Sequence, residues 1–207
     1  MFVFGTALFG PSQISYNRQS MRRILASLII AGMTGALAFA ASPTPRKATE
    51  FVIQTPDGKQ QLLSSYKGKT VVLALMFTTC PHCQKTAGIL SGVQKEYESK
   101  GVQVLGATFD SGAAFRVQQF NKMFGVTYPC GYSNDEAVKQ FLGLGKDEPY
   151  FVPILVFIDK TGTIRSQYIG DEKFLGNQEV NIRAELDKML KGSTSSAKAA
   201  AGKTPKS

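Results

Sequence analysis

The sequence predicts an α/β domain with a central mixed β-sheet flanked by helices, and three observations predict it. The apolar run from Val71 to Phe77 has strand length and feeds into Cys80-Pro81-His82-Cys83, after which a helix-compatible segment continues to Lys100. A second run rich in β-branched residues, Val102 to Phe109, follows that helix. Strand, helix, strand in that order calls for parallel pairing through a crossover. Finally, two apolar strands enclose Asp159-Lys160-Thr161-Gly162, which reads as an antiparallel hairpin. Parallel and antiparallel pairs in one chain make the sheet mixed.

Each element has a local reason. Phe51 to Gln54 reads as a strand, Pro56-Asp57-Gly58-Lys59 as a turn, and Gln60 to Leu63 as the returning strand of an N-terminal hairpin. Pro81 suits the first helical position, where its missing N–H is no loss, and Lys100-Gly101 ends that helix with a basic residue and a glycine. Ile89, Val93 and Tyr97 recur on it at helical spacing. Residues 112–124 read as a helix with Phe115, Phe120, Met123 and Phe124 as its apolar set. Val126 to Pro129 reads as a short extended piece, and Ser133-Asn134-Asp135 caps a helix that runs to Phe141 or Leu142. Strands over Ile154 to Ile158 and Thr163 to Tyr168 follow. A last amphipathic helix spans about Gln178 to Lys191, with Val180, Ile182, Leu186 and Leu190 as its apolar positions.

The flanks read differently from this domain, which is assigned to residues 48–191. Arg22 and Arg23 precede an apolar run from Ile24 to Ala40 that closes on Ala38-Phe39-Ala40, the form of a secretory signal peptide over 21–40. The run is also as long as a minimal membrane span, about 17 residues, so an uncleaved anchor is the alternative. Translation is then expected to start at Met21, which leaves residues 1–20 as an upstream extension. Residues 41–47, with Pro43 and Pro45, read as an extended linker. Residues 192–207 are Ser, Ala, Lys, Gly, Thr and Pro without an aromatic residue, and read as a disordered tail. A periplasmic or secreted location follows.

The chain carries a net +9, but residues 46–191 hold 18 Lys and Arg against 15 Asp and Glu, a net of +3. The remaining excess sits in the two flanks, so a nucleic-acid-binding face is not indicated. With 43% hydrophobic residues the domain can bury a core without disulfide staples. Of the 3 cysteines, two belong to the Cys-x-x-Cys, and Cys130 is left in an apolar stretch as a buried thiol.

The chemistry concentrates at Cys80 and Cys83. A strand ending in Cys-x-x-Cys at a helix start sets the first sulfur where backbone N–H groups are unpaired and the helix dipole is positive, which favours a thiolate. The two-residue spacer lets the second sulfur close a disulfide. Cys80 is therefore the expected exposed nucleophile and Cys83 its buried partner, with exchange running through a mixed disulfide. His82 is the only histidine of the chain. Beside the Cys80 thiolate it would supply a hydrogen bond or positive charge and favour the reduced form. A structural zinc site needs four ligands, for which only His82 and Cys130 remain, so no metal is expected.

The same residues resemble a known family. Thr55-Pro56-Asp57-Gly58-Lys59, Tyr66-Lys67-Gly68-Lys69-Thr70-Val71-Val72, Cys80-Pro81-His82-Cys83, Gly131 to Val138 and Val152 to Gly162 resemble the thioredoxin-like superfamily. Within it they are similar to the exported TlpA/ResA branch, near the AhpC/TSA redoxins. The resemblance covers roughly residues 48–190 and implies a thioredoxin-like fold with an αβ insertion between the Cys-x-x-Cys helix and a cis-proline. It implies a cis Val152–Pro153 bond packed against the cysteine pair, with the Val152 backbone open to an extended substrate. It further implies a monomeric thiol–disulfide oxidoreductase with a redox-active Cys80–Cys83 disulfide and no other cofactor. Protein thiols and disulfides would be its substrates, and a membrane electron-transfer protein its partner.

The departures from that pattern are specific. Thr79 stands where the family has a Trp before the first cysteine, and the chain has 0 Trp. Ala74 occupies the position of thioredoxin's buried Asp, and Thr86 that of the ResA-like Glu. Without a carboxylate close by, a more oxidising pair than thioredoxin's is expected, in keeping with the Cys-Pro-His-Cys that resembles DsbA's. Two other functions fit less well. A peroxiredoxin-like peroxidase wants Pro-x-x-x-Thr-x-x-Cys, and Leu73 and Phe77 fill those two positions. A Sco-like copper-delivery protein wants Cys-x-x-x-Cys and a distant His.

Overall fold

The computed structural model of the chain describes residues 43–201. The expected upstream extension, the signal peptide, the start of the linker and the end of the tail lie outside the described residues. No helix among the described residues is long and apolar enough to cross a membrane.

In chain order the elements are β1 (Arg46–Lys47), β2 (Val52–Gln54), β3 (Gln60–Leu62), a 3-10 turn (Leu63–Tyr66), β4 (Thr70–Met76), α1 (Pro81–Tyr97), a 3-10 turn (Glu98–Lys100) and β5 (Val102–Thr108). They continue with α2 (Ala113–Met123), β6 (Cys130–Tyr132), α3 (Asp135–Leu142), β7 (Ile154–Ile158), β8 (Thr163–Ile169), α4 (Glu172–Gly176) and α5 (Gln178–Ala201). One 8-stranded sheet runs in the order β1-β8-β7-β4-β5-β6-β2-β3. β4 pairs in parallel with β5 and β5 with β6, while β7 joins β4 from the other side antiparallel, so the sheet is mixed.

The central strands read as continuous apolar runs because both faces are covered. Alternate residues face opposite ways. Val72, Ala74 and Met76 of β4 join Val104, Leu155 and Phe157 in a core closed by α1, α2 and α5 through Leu90, Val93, Val117, Phe120, Ile182 and Leu186. Val71, Leu73 and Leu75 join Leu105, Ile154 and Val156 in a second core closed by α3 and the N-terminal segment through Val138, Phe141, Leu142, Phe51 and Ile53. The Asp159 turn and the Asn134 cap form as the sequence predicts. Asn134 Oδ1 accepts the Ala137 N–H at 2.8 Å.

Several elements differ from the sequence reading. The strand expected near Val126–Pro129 lies at Cys130–Tyr132, where it pairs with Gly106, Ala107 and Thr108. Gly131 serves a close approach, since a Cβ there would lie 2.1 Å from the Gln54 carbonyl oxygen of β2. On α2 the buried face is Ala113, Val117 and Phe120, whereas Phe115 and Met123 are exposed. On α5, Val180 is exposed, and Gln178 takes the buried place one turn before Ile182. Phe115 and Met123 of α2 and Val180 of α5 lie on the solvent side of the stripe, which costs little. α5 also continues to Ala201 instead of ending at Lys191. Its alanines favour helix, and a glycine at 192 costs only about 1 kcal/mol. Arg46 and Lys47, read as linker, pair with Ile164 and Thr163 at the sheet edge. α4 was also without a sequence signal; Asp171 caps it by accepting the Phe174 N–H at 2.9 Å.

Candidate functional site

β4 ends at Met76, and four residues later the chain turns into α1. Cys80 is the N-cap of α1, with extended backbone (φ −87°, ψ 120°) and Pro81 at the first helical position. The Gln84 N–H closes the first turn on the Cys80 carbonyl at 3.0 Å. The Cys80 side chain makes no capping bond, so its sulfur is free for other contacts at the positive end of the helix. Cys83, one turn along the inner face, is fully buried. The Phe77 N–H donates to Cys83 Sγ at 3.4 Å. Both cysteines are free thiols.

The opposite wall comes from the segment entering β7. The Val152–Pro153 peptide bond is cis. Pro153 is buried and Val152 half-buried, and Cys80 Sγ lies 4.0 Å from the Val152 carbonyl oxygen. The structure thus brings Cys80, Pro81, Cys83, Val152 and Pro153 together from two separate segments. His82 stands apart on the exposed side of the turn. Among the described residues its imidazole makes no hydrogen bond to Cys80, and its backbone carbonyl accepts from Thr86 Oγ1 at 2.8 Å. Thr86 also reaches Gln178 Oε1 at 2.7 Å, so a neutral buried pair ties the back of α1 to α5.

Sequence reasoning missed Asp110. The parallel register of β4 and β5 sets Met76 beside Thr108, and two residues further along each strand the chains meet again. Asp110 accepts the Thr78 N–H at 2.8 Å and the Thr78 hydroxyl at 2.7 Å. Arg116 clamps the pair, with Nη2 donating to Asp110 Oδ2 at 2.6 Å and Nε to Thr78 Oγ1 at 2.9 Å. Burial pushes the Asp110 carboxyl up, but the bonds from Thr78 and Arg116 outweigh it and hold it below its ordinary value. The expectation of no carboxylate near the pair is therefore corrected. Ala74 and Thr86 carry none, but Asp110 supplies one from the neighbouring strand. The available signal was an Asp just past the end of a strand predicted to lie beside β4.

Burial also sets the two inner thiols. It pushes the Cys83 thiol far above its ordinary range; the Phe77 N–H opposes this, while the Cys80 side chain and the Asp110 charge add to it. Cys130 is pushed up to about 12 by burial alone. Among the described residues no group of three or more His, Cys, Asp or Glu could hold a metal ion.

Comparison with known proteins agrees with this geometry. The AhpC/TSA family matches residues 45–167, more than half of the chain. The thiol-disulfide oxidoreductase ResA of Bacillus thuringiensis is 27% identical over 127 residues, which cover 61% of this chain and 70% of the relative. ResA of Bacillus subtilis is 31% identical over 91 residues, or 44% and 50% of the two chains. A thiol:disulfide interchange protein of the thioredoxin family from Chlorobium tepidum shares the fold, with a TM-score of 0.60 at 24% identity over 72% of this chain and 99% of that one. The chain belongs to the AhpC/TSA family, and within it is a TlpA/ResA-like thiol–disulfide oxidoreductase with a thioredoxin-like fold.

Proposed function

We propose that this protein acts outside the cytoplasm and exchanges disulfides with protein thiols through Cys80 and Cys83. The supporting observation is the asymmetry of the pair. Cys80 is partly exposed at a helix N-terminus, 4.0 Å from the Val152 carbonyl, while Cys83 is buried directly behind it. In the reducing direction the Cys80 thiolate attacks a substrate disulfide. One substrate sulfur leaves as a thiolate and takes up a proton, and a mixed disulfide remains. Cys83 then loses its proton and attacks the Cys80 sulfur. The second substrate thiol departs, and the Cys80–Cys83 disulfide holds the two-electron oxidation. The oxidising direction is the same sequence reversed. The Val152 backbone offers a pairing edge for an extended substrate segment. The redox-active disulfide is the only cofactor of this reading, a membrane electron donor or acceptor restores the pair, and the working unit is a monomer.

Export rests on the basic, apolar and Ala-Phe-Ala order of residues 21–40. The test is Cys83→Ser expressed with its own leader in a bacterial host. Mixed disulfides between Cys80 and exported cysteine-containing proteins are expected on acid quenching. If no adducts form, or they persist in a Cys80→Ser, Cys83→Ser double variant, the reading fails. Trapping the wild-type pair in intact cells then gives the direction. A mostly reduced pair marks a reductase and a mostly oxidised pair a disulfide donor.

A further inference from the structure

The geometry points to Phe151 as the residue that selects substrates, by receiving a large apolar side chain within two residues of the substrate's reactive cysteine. This rests on the exchange at Cys80 proposed above. Phe151 is 75% exposed. A single exposed Phe is ordinary on a protein surface, so exposure alone says little. Its place decides. The next residue is Val152, whose carbonyl oxygen is the backbone atom that meets Cys80 Sγ, at 4.0 Å. The Phe151 Cα is one step of about 3.8 Å from that of Val152.

The segment is held from both sides. Tyr150 packs on Phe109 with ring centroids 5.9 Å apart and hydrogen-bonds Asp135. On the far side Gly170 donates its N–H to the Pro153 carbonyl at 3.3 Å. Gly170 has φ +55°, and a Cβ there would lie 2.3 Å from the Phe151 Cβ. Any residue larger than glycine would displace Phe151. The ring is therefore aimed at solvent by a backbone with fixed neighbours, which lowers the ordering cost of binding.

The occupant follows from the chemistry beside the ring. Among the described residues the Val152 N–H has no hydrogen-bond partner, and its carbonyl meets only the Cys80 sulfur. An extended segment whose cysteine reacts with Cys80 pairs with this backbone, and its side chains alternate in direction. One of them falls over Phe151. Thr79, directly before the nucleophile, is exposed and offers no aromatic surface, and the chain has 0 Trp. Phe151 is the large exposed apolar side chain next to this backbone. An aromatic ring favours another aromatic or a long aliphatic side chain.

The experiment compares two short glutathione-capped peptides that differ only in Phe or Ser beside their single cysteine. Oxidised glutathione is the reference disulfide. Rates are measured with the full reduced protein, its Phe151→Ser variant and its Phe151→Leu variant, and the readout is the ratio between the peptides, which cancels any loss of folded protein. Wild type is expected to favour the Phe peptide roughly tenfold, about 1.4 kcal/mol. Phe151→Ser is expected to bring the ratio near one, and Phe151→Leu to keep most of it. A wild-type ratio near one, or a preference that survives Phe151→Ser, overturns the role of Phe151 while exchange itself stands. A wild-type protein that reacts with neither peptide nor oxidised glutathione overturns both readings.

Discussion

Three thiols share one chain, and burial is the largest difference between them. Cys80 is partly exposed, while Cys83 and Cys130 are buried and burial drives both of their thiols toward the protonated form. Brief iodoacetamide treatment of the reduced native protein at pH 8 is expected to label Cys80, with Cys83 and Cys130 labelled only after unfolding. Peptide mass mapping reads this directly, and native labelling of Cys83 would contradict the buried geometry. Asp110 makes a second, separable case. Its charge lies close enough to raise the Cys83 thiol, so it opposes negative charge on that sulfur. Asp110→Asn is expected to favour the reduced form and raise the reduction potential, by on the order of 10–30 mV at an effective dielectric near 20. Equilibration with glutathione buffers measures it. A potential unchanged or lowered would show that Asp110 only holds the Thr78 loop in place.

At the scale of the element, the turn between β7 and β8 concentrates its bonds on one carboxylate. Asp159 Oδ1 accepts from the Thr161 N–H at 2.8 Å, the Thr163 N–H at 3.1 Å and the Thr161 hydroxyl at 2.6 Å, and Arg165 Nε donates to Oδ2 at 2.6 Å. Burial raises the Asp159 carboxyl, the bonds from Thr161, Thr163 and Arg165 more than reverse it, and the net position is below the ordinary value. A carboxyl lowered by folding stabilises the native state at pH above its unfolded value of about 3.9, and that contribution is lost as pH falls through the folded value. Asp159→Asn is therefore expected to cost about 1–3 kcal/mol at pH 7, with the gap to wild type closing below about pH 4. Urea titrations of both proteins across that range check it; a gap independent of pH would assign the loss to geometry instead of charge. This turn was legible in the sequence because Asp and Gly sit where a tight connection needs them. β4, β5 and β7 were legible because strands covered on both faces are apolar throughout. β6 was not. Its three residues gain their identity from β5 and β2 on either side, and nothing in Cys130-Gly131-Tyr132 itself announces a strand. The exposed Phe115 and Val180 misled for the converse reason, since helical spacing marks a stripe but not which of its margins solvent takes.

Across the whole molecule, the site is built from distant segments that only the sheet brings together. The Cys-x-x-Cys was legible because its chemistry is local, and Pro153 through family resemblance. Asp110 was hidden, because its bond to Thr78 exists only in the β4–β5 register, and so was the setting of Phe151, which needs Gly170 from the end of β8. The same long-range construction ties redox state to stability. A disulfide spanning two residues restrains little of the unfolded chain. In the folded reduced form the Cys80 sulfur sits at the positive end of α1, a field that the unfolded chain lacks. The folded oxidised form has no charge there to gain from that field. By the thermodynamic cycle, any excess of the folded pair's reduction potential over that of the unfolded pair is an equal excess of stability in the reduced protein, about 1.4 kcal/mol for each 30 mV. A pair that folding makes more oxidising requires the reduced protein to melt above the oxidised one, by roughly 3–6 °C for each such step in a domain of this size, and this is the expected outcome. Calorimetry with and without a non-thiol reductant makes the comparison, with Cys80→Ser as a control in which the difference should vanish. Should the oxidised protein melt at the same temperature or higher, folding has not raised the potential of the pair and the expectation fails.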